Sequence, residues 1–161
     1  MAVMQIPGRK CLARLISQEP IYLAWGRGLP AWDVALEPEP TDCETLVDEI
    51  GRRIATTVQF VTPHAEGEIE LPDGTRYRAS ATKTKWLYVS WVFNYADAAG
   101  ETVRELGVFV GGTFVPGLPA GQRYFPANQV VDPGELYTME RMEGFKLNNS
   151  KRQVQAFVLP F

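Results

Sequence analysis

The sequence predicts a mainly β chain: one β-sandwich-like domain, residues 1–161, with one or two short helices and long loops. Three observations carry this. The 161 residues include 14 glycines and 12 prolines, more than the usual share, and these residues punctuate a chain into short strands joined by turns. Several segments alternate apolar and polar residues with the period of two that a half-buried strand needs. Stripes at helical spacing are few and short. With 45% hydrophobic and 22% charged residues, the chain can bury a core of its own, which excludes wholesale disorder.

The elements follow in order. Residues 9–18 predict a short helix with Cys11, Leu12, Leu15 and Ile16 on one stripe. Ile21–Trp25, after Pro20, reads as a buried strand ending in the turn-rich Gly26-Arg27-Gly28-Leu29-Pro30, a loop that carries Trp32. Residues 34–41 are acidic and broken by prolines, an extended linker. Residues 42–50 predict the clearest helix, because Cys43, Leu46, Val47 and Ile50 stand at i, i+3, i+4 and i+7. Thr41 or Asp42 would cap it and Gly51 would end it. Ile54, Thr56, Val58 and Phe60 then alternate as a strand. Ile69 and Leu71 lead into Pro72-Asp73-Gly74, a hairpin signal with Tyr77 on the return arm. In Trp86–Tyr95, Leu87, Val89, Trp91 and Phe93 form one face and Trp86, Tyr88 and Val92 the other, the pattern of a strand covered on both sides. Val103–Val110 is a further strand, 111–126 reads as loop, and Leu136–Phe145 and Gln153–Leu159 supply the last two long strands. No repeat and no domain boundary is visible.

Charge and chemistry narrow the function. The net charge is −3 with a pI near 5.2, so a chain-wide basic field for nucleic acid is absent. Residues 33–49 hold seven acids and no Lys or Arg, whereas 76–85 hold Arg76, Arg78, Lys83 and Lys85 and no acid. These are either two solvated faces or complementary patches through which copies or partners dock in register. Cys11 and Cys43 fall on the apolar faces of the two expected helices, as buried, reduced thiols. Residues 1–10 lack the apolar core of about 7–15 residues that a signal peptide carries. No run approaches the ~18 apolar residues of a membrane span. Synthesis in a cytoplasm is expected, and the sequon Asn148-Asn149-Ser150 then has no glycosylation meaning.

No catalytic constellation emerges. Gly26-x-Gly28-x-x-Ala31 imitates a dinucleotide fingerprint, but Pro30 and the prolines of 37–40 replace the helix that would present amides to a pyrophosphate. His64, the one histidine, lies in a turn and cannot build a His/Cys metal cluster. Carboxylate pairs such as Glu66/Glu68 or Glu140/Glu143 are not singled out by anything around them. Trp25, Trp32, Trp86 and Trp91 could form the stacking platform of a carbohydrate-binding module if two or more were exposed on one face.

The segments Tyr22–Asp33 (YLAWGRGLPAWD), Thr45–Arg53 (TLVDEIGRR), Val103–Gly112 (VRELGVFVGG) and Pro119–Phe125 (PAGQRYF) recur in order, followed by Arg152-Gln153 and the ending Leu159-Pro160-Phe161. Over residues 12–161 the chain thereby resembles small virion structural proteins of tailed bacteriophages, the contractile-tail baseplate and tail-associated proteins. The Arg104–Phe109 stretch is also similar to the heads of tail-collar fibre proteins.

The resemblance implies a non-enzymatic structural subunit of a phage tail, with no catalytic, cofactor-binding or metal-ligating residues. It implies a virion location at the baseplate, bridging tube or sheath to baseplate components. Its expected partners are other virion proteins (tail tube, sheath or baseplate subunits), in a homo-oligomeric ring of six copies or a multiple, with no nucleic acid and no membrane. A fibre-attachment adaptor and a carbohydrate-binding β-sandwich are the alternatives. The long loops at 26–41 and 111–133 suit such contacts, since loops beyond about 12 residues are uncommon unless functional. Arg27, Leu29, Trp32, Arg104, Glu105, Arg123, Tyr124, Phe125 and Phe161 are the expected contact residues. Arg104 and Glu105 project to opposite faces of one strand. Deleting 26–33 or 113–127 is expected to leave a folded protein that fails to enter particles.

Overall fold

The computed structural model describes residues 1–148 and 150–161; Asn149, in the middle of the sequon, lies outside the described residues. One helix, α1 (Ile6–Ser17), precedes β1 (Ile21–Gly26), β2 (Glu49–Ile54), β3 (Thr57–Pro63), β4 (Ile69–Glu70) and β5 (Arg76–Ala79). Then follow β6 (Trp86–Phe93), β7 (Thr102–Val110), β8 (Thr113–Phe114), β9 (Tyr124–Pro126), β10 (Val130–Asp132), β11 (Glu135–Lys146) and β12 (Gln153–Pro160). Short 3₁₀ turns cover Pro30–Asp33 and Ala127–Gln129. Strand makes up 44% and helix 12%, so the mainly β class holds.

The chain forms two compact units. One comprises Pro20–Ile54 and Phe93–Gln153. Its five-stranded sheet has the order β11-β7-β1-β2-β9, and every pairing in it is antiparallel. The central strand β1 is buried at all six positions, as a strand apolar on both parities must be. One face carries a core of Tyr22, Ala24, Leu46, Phe109 and Phe125, with Ile54, Phe114, Leu118, Leu136 and Met139 packed against it. Phe114 stacks on Phe125 at 4.0 Å, and Tyr22 meets both edge-on. On the other parity Trp25 stacks on Phe93 at 3.6 Å.

The second unit comprises Met1–Glu19, Ala55–Val92 and Val154–Phe161. Its sheet has the order β12-β6-β3-β5-β4. Leu87, Val89 and Trp91 of β6 are fully buried, whereas Trp86, Tyr88 and Val92 on the opposite parity are only half-buried, so the second face is less covered than its apolar pattern predicts. The expected hairpin is present: Leu71 and Thr75 close the turn, the Asp73 carboxylate accepts from the Thr75 amide and hydroxyl, and Arg76 pairs with Glu70.

Three expectations fail. Residues 42–50 are not a helix: the stretch is irregular through Asp48, and Glu49 and Ile50 open β2, where Glu49 pairs with Gly26 and Gly51 with Trp25. A nine-residue helix is too short to stand on its own propensity, and tertiary contacts take the segment instead. Leu46 enters the core while Val47 remains 51% exposed. Cys43 is consequently neither helical nor buried, and both thiols are free and half-buried. Residues 111–126 are not all loop, since β8 and β9 lie within them. The alternation over 54–60 belongs to two strands, because the chain leaves β2 at Ile54 and starts β3 at Thr57.

Candidate functional site

The 26–33 loop is built by two glycines and two arginines. Gly28 has φ +56°, and a Cβ there would overlap the Trp32 ring; a Cβ on Gly26 would overlap the Glu105 carboxylate. Only glycine permits so close a return of the backbone. The Arg27 amide donates to the Asp48 carbonyl at 2.8 Å. Its guanidinium forks onto Glu101 with two 2.8 Å bonds and reaches Asp48 at 3.0 Å. The Arg27 donors hold the Glu101 carboxyl below the usual range, and the Glu101 and Asp48 carboxylates push the Arg27 guanidinium up. At the far end, Arg104 forks onto Asp33 (2.9 and 2.8 Å) and donates to the Arg27 carbonyl at 3.2 Å. The Gly144 amide adds a 2.8 Å bond to Asp33, and together they lower its pKa.

Beneath the loop, Trp32 is 2% exposed and Glu105 fully buried. Arg141 lies over the Trp32 ring at 4.5 Å, donates its amide to Glu39 and its guanidinium to the Pro38 carbonyl, and pairs with Glu37 at 3.4 Å. That amide bond leads the causes that lower Glu39. The Glu105 carboxylate accepts from the Asp48 amide at 3.2 Å. Burial raises its pKa, and the amides of Asp48, Val47 and Gly28 oppose the rise. Arg52, fully buried, forks onto Glu49 with two 2.7 Å bonds, donates to the Pro133 carbonyl at 2.6 Å and covers the Phe109 ring. Arg53 pairs with Asp97 at 2.6 Å.

The acidic run is therefore largely neutralised by its own chain. Asp33, Glu37, Glu39 and Asp48 meet Arg104, Arg141 and Arg27, which strap the segment down, and Glu49 meets Arg52 within β2. Asp42 and Glu44 make no ion pair among the described residues.

The structure brings Arg27, Trp32, Arg104 and Glu105 together at this loop. Leu29 is its outward tip, 41% exposed. Arg123, Tyr124 and Phe125 lie at β9, on the opposite edge of the same sheet. Arg123 is exposed; Tyr124, half-buried, has its phenol pushed up to about 12, first by burial and then by Asp97; Phe125 belongs to the core. Phe161 belongs to the other unit, where its amide donates to the Lys85 carbonyl at 3.0 Å. Trp32, Glu105 and Phe125 thus shape the surface from beneath. Sequence reasoning missed Arg52, Arg53, Asp97, Glu101 and Arg141. Two adjacent arginines within the apolar frame of Ile50 and Ile54 were the available signal, because charges flanked by buried strand positions need partners.

His64 is a turn residue, its Nδ1 accepting from the Glu66 amide at 3.1 Å. No group of three or more His, Cys, Asp or Glu among the described residues could hold a metal ion. Trp25, Trp32 and Trp91 are buried and Trp86 is half-buried under Lys85, which removes the stacking platform that a carbohydrate module requires.

The 26–33 loop and the 34–49 segment thus form a surface clamped by arginine forks. A model of one protein family, described as baseplate wedge 3 tail fiber network component, matches residues 1–161. The chain belongs to this family. The match agrees with the resemblance to contractile-tail baseplate proteins drawn from the sequence, and it makes the wedge component a structural protein of the virion tail that interacts with other virion proteins. No curated protein matches the chain. Among the described residues, no helix of this baseplate wedge component is long and apolar enough to cross a membrane.

Proposed function

We propose that the chain is a non-catalytic subunit that bridges baseplate wedge parts to the tail tube or sheath, in a ring of six copies or a multiple, through residues 26–33 and 113–127. One observation carries this reading. The 26–33 loop is fixed at both ends by arginine forks, yet its tip, Leu29 with Pro30, faces solvent. A rigid, preorganised apolar tip costs little further ordering when it meets a partner. The net charge of −3 suits protein partners rather than nucleic acid.

Loop deletion is a poor test, because it would remove Trp32 and Asp33, or Phe114 and Phe125, from the packing described above. Leu29→Asp changes an outward side chain, and Arg123→Glu an exposed one whose guanidinium also reaches the Ile54 carbonyl at 3.5 Å. Complementation of a phage lacking the gene should yield folded variants that are depleted from purified particles. Wild-type incorporation of both would overturn the reading. Fibre attachment is a second reading, favoured by the words "tail fiber network" in the family description; complete tails that lack fibres would select it.

A further inference from the structure

The N-terminal segment is the most exposed apolar part of the molecule. Met1, Val3, Met4 and Ile6 are at least 50% exposed, and Leu12 and Leu15 of α1 are 40% and 47% exposed. Leu12 and Leu15, three residues apart, share one helix face, and Ala13 is the helix's buried residue. The charges here are all positive: Arg9, Lys10 and Arg14, with Glu19 the first acid in the chain. A basic helix with an uncovered apolar stripe asks for a cover that is apolar at its floor and acidic at its rim.

The other unit carries such a cover. Between residues 39–45 and the edge strand β11 run two adjoining cavities of about 290 and 420 Å³, both lined by Cys43 and Leu136. Met139 and Tyr137 extend the apolar floor of the first. Glu39, Glu44, Asp132 and Glu135 line the pair, and no lysine or arginine does. Glu44 and Glu135 make no ion pair among the described residues. They are acids that the internal arginine straps leave unneutralised.

We propose that the N-terminal arm and α1 of one copy dock into the 39–45/β11 groove of a second copy. Leu12 and Leu15 cover the floor around Leu136, and Lys10 and Arg14 meet Glu44 and Glu135. The contact joins different surfaces on the two copies, so it propagates head to tail and closes into a ring when the rotation permits. The proposal rests on the reading of the chain as a ring subunit and supplies that ring with its contact.

Sedimentation velocity of the full chain across concentration and salt tests it, with far-UV circular dichroism as the control for folding. The wild type should self-associate, and added salt should weaken the association. Lys10→Glu/Arg14→Glu and Glu44→Lys/Glu135→Lys should each weaken it about tenfold or more, and a mixture of the two variants should associate again. A wild type that stays monomeric, or association unaffected by both charge reversals, overturns the proposal. Binding to phosphatidylserine vesicles without self-association overturns it in favour of a membrane-facing helix. If self-association fails while Leu29→Asp still blocks incorporation, this contact is wrong and the structural role stands.

Discussion

Replacing Arg52 by Met tests what the buried Arg52–Glu49 pair of β2 contributes to stability. The guanidinium is fully buried, and it satisfies both Glu49 oxygens at 2.7 Å and the Pro133 carbonyl at 2.6 Å. It also lies 4.1 Å from the Phe109 ring centroid. Methionine fills the stem's volume but leaves Glu49, whose side chain is 16% exposed, with a charge and no partner. Breaking a buried pair on one side costs about 3–5 kcal/mol. The residual exposure of Glu49 argues for the lower end, about 3 kcal/mol. For a chain of this size each kcal/mol shifts Tm by about 2–4 °C, so the melt should fall by about 6–12 °C. Thermal unfolding followed by near-UV circular dichroism measures it. Glu49→Gln/Arg52→Met should recover part of the loss, because the orphaned charge is gone. A fall below about 3 °C, or a double variant as unstable as the sum of the singles, refutes the reasoning.

Three further outcomes are expected. Glu105→Gln should change the pH dependence of stability. The Glu105 pKa is raised on folding, so its contribution is fully present below the ordinary carboxylate range and is lost as pH rises through the folded value. Denaturant titrations from pH 4 to 8 should show the variant gaining on the wild type toward neutral pH; parallel profiles would contradict this. Arg104→Gln should release the loop, speeding amide exchange at Trp32 and Gly144 while leaving Leu23–Trp25 protected, since the Asp33 anchor is lost and the strand ladder is not. Ala98→Gly should stabilise the protein by about 0.5 kcal/mol, because Ala98 has φ 52°, a left-handed conformation that costs a residue with a Cβ about 1–2 kcal/mol, partly offset by the extra entropy of glycine. A lowered Tm for this variant would refute it.

How much of this was legible depended on where the deciding interactions lie. Strand β6 could be read because Leu87, Val89, Trp91 and Phe93 recur at the sheet's own period, and all four are buried as that period demands. The 42–50 stretch misled because Cys43, Leu46, Val47 and Ile50 satisfy a helical stripe by spacing alone. Its conformation is decided by residues far away: the Arg27 amide takes the Asp48 carbonyl, Glu105 takes the Asp48 amide, and β1 takes Glu49 and Gly51. Contacts between positions 21–57 residues apart leave no local trace. The candidate surface was half visible for the same reason. The turn chemistry of Gly26 and Gly28 marks the loop, but its arginine forks to Asp33 and Glu101 join residues more than 70 positions apart. The acids of 33–49 read as either a solvated face or a docking patch, whereas most of them bind arginines of their own chain.

The most direct test of the central claim, that this chain is a structural part of the baseplate held by its clamped loops, is a cryo-EM map of the intact tail at side-chain resolution. The account predicts density for both five-stranded sheets within the baseplate wedges, with Leu29 and the 113–127 segment covered by neighbouring subunits. Density for this chain away from the baseplate, or both loops facing solvent there, would contradict it.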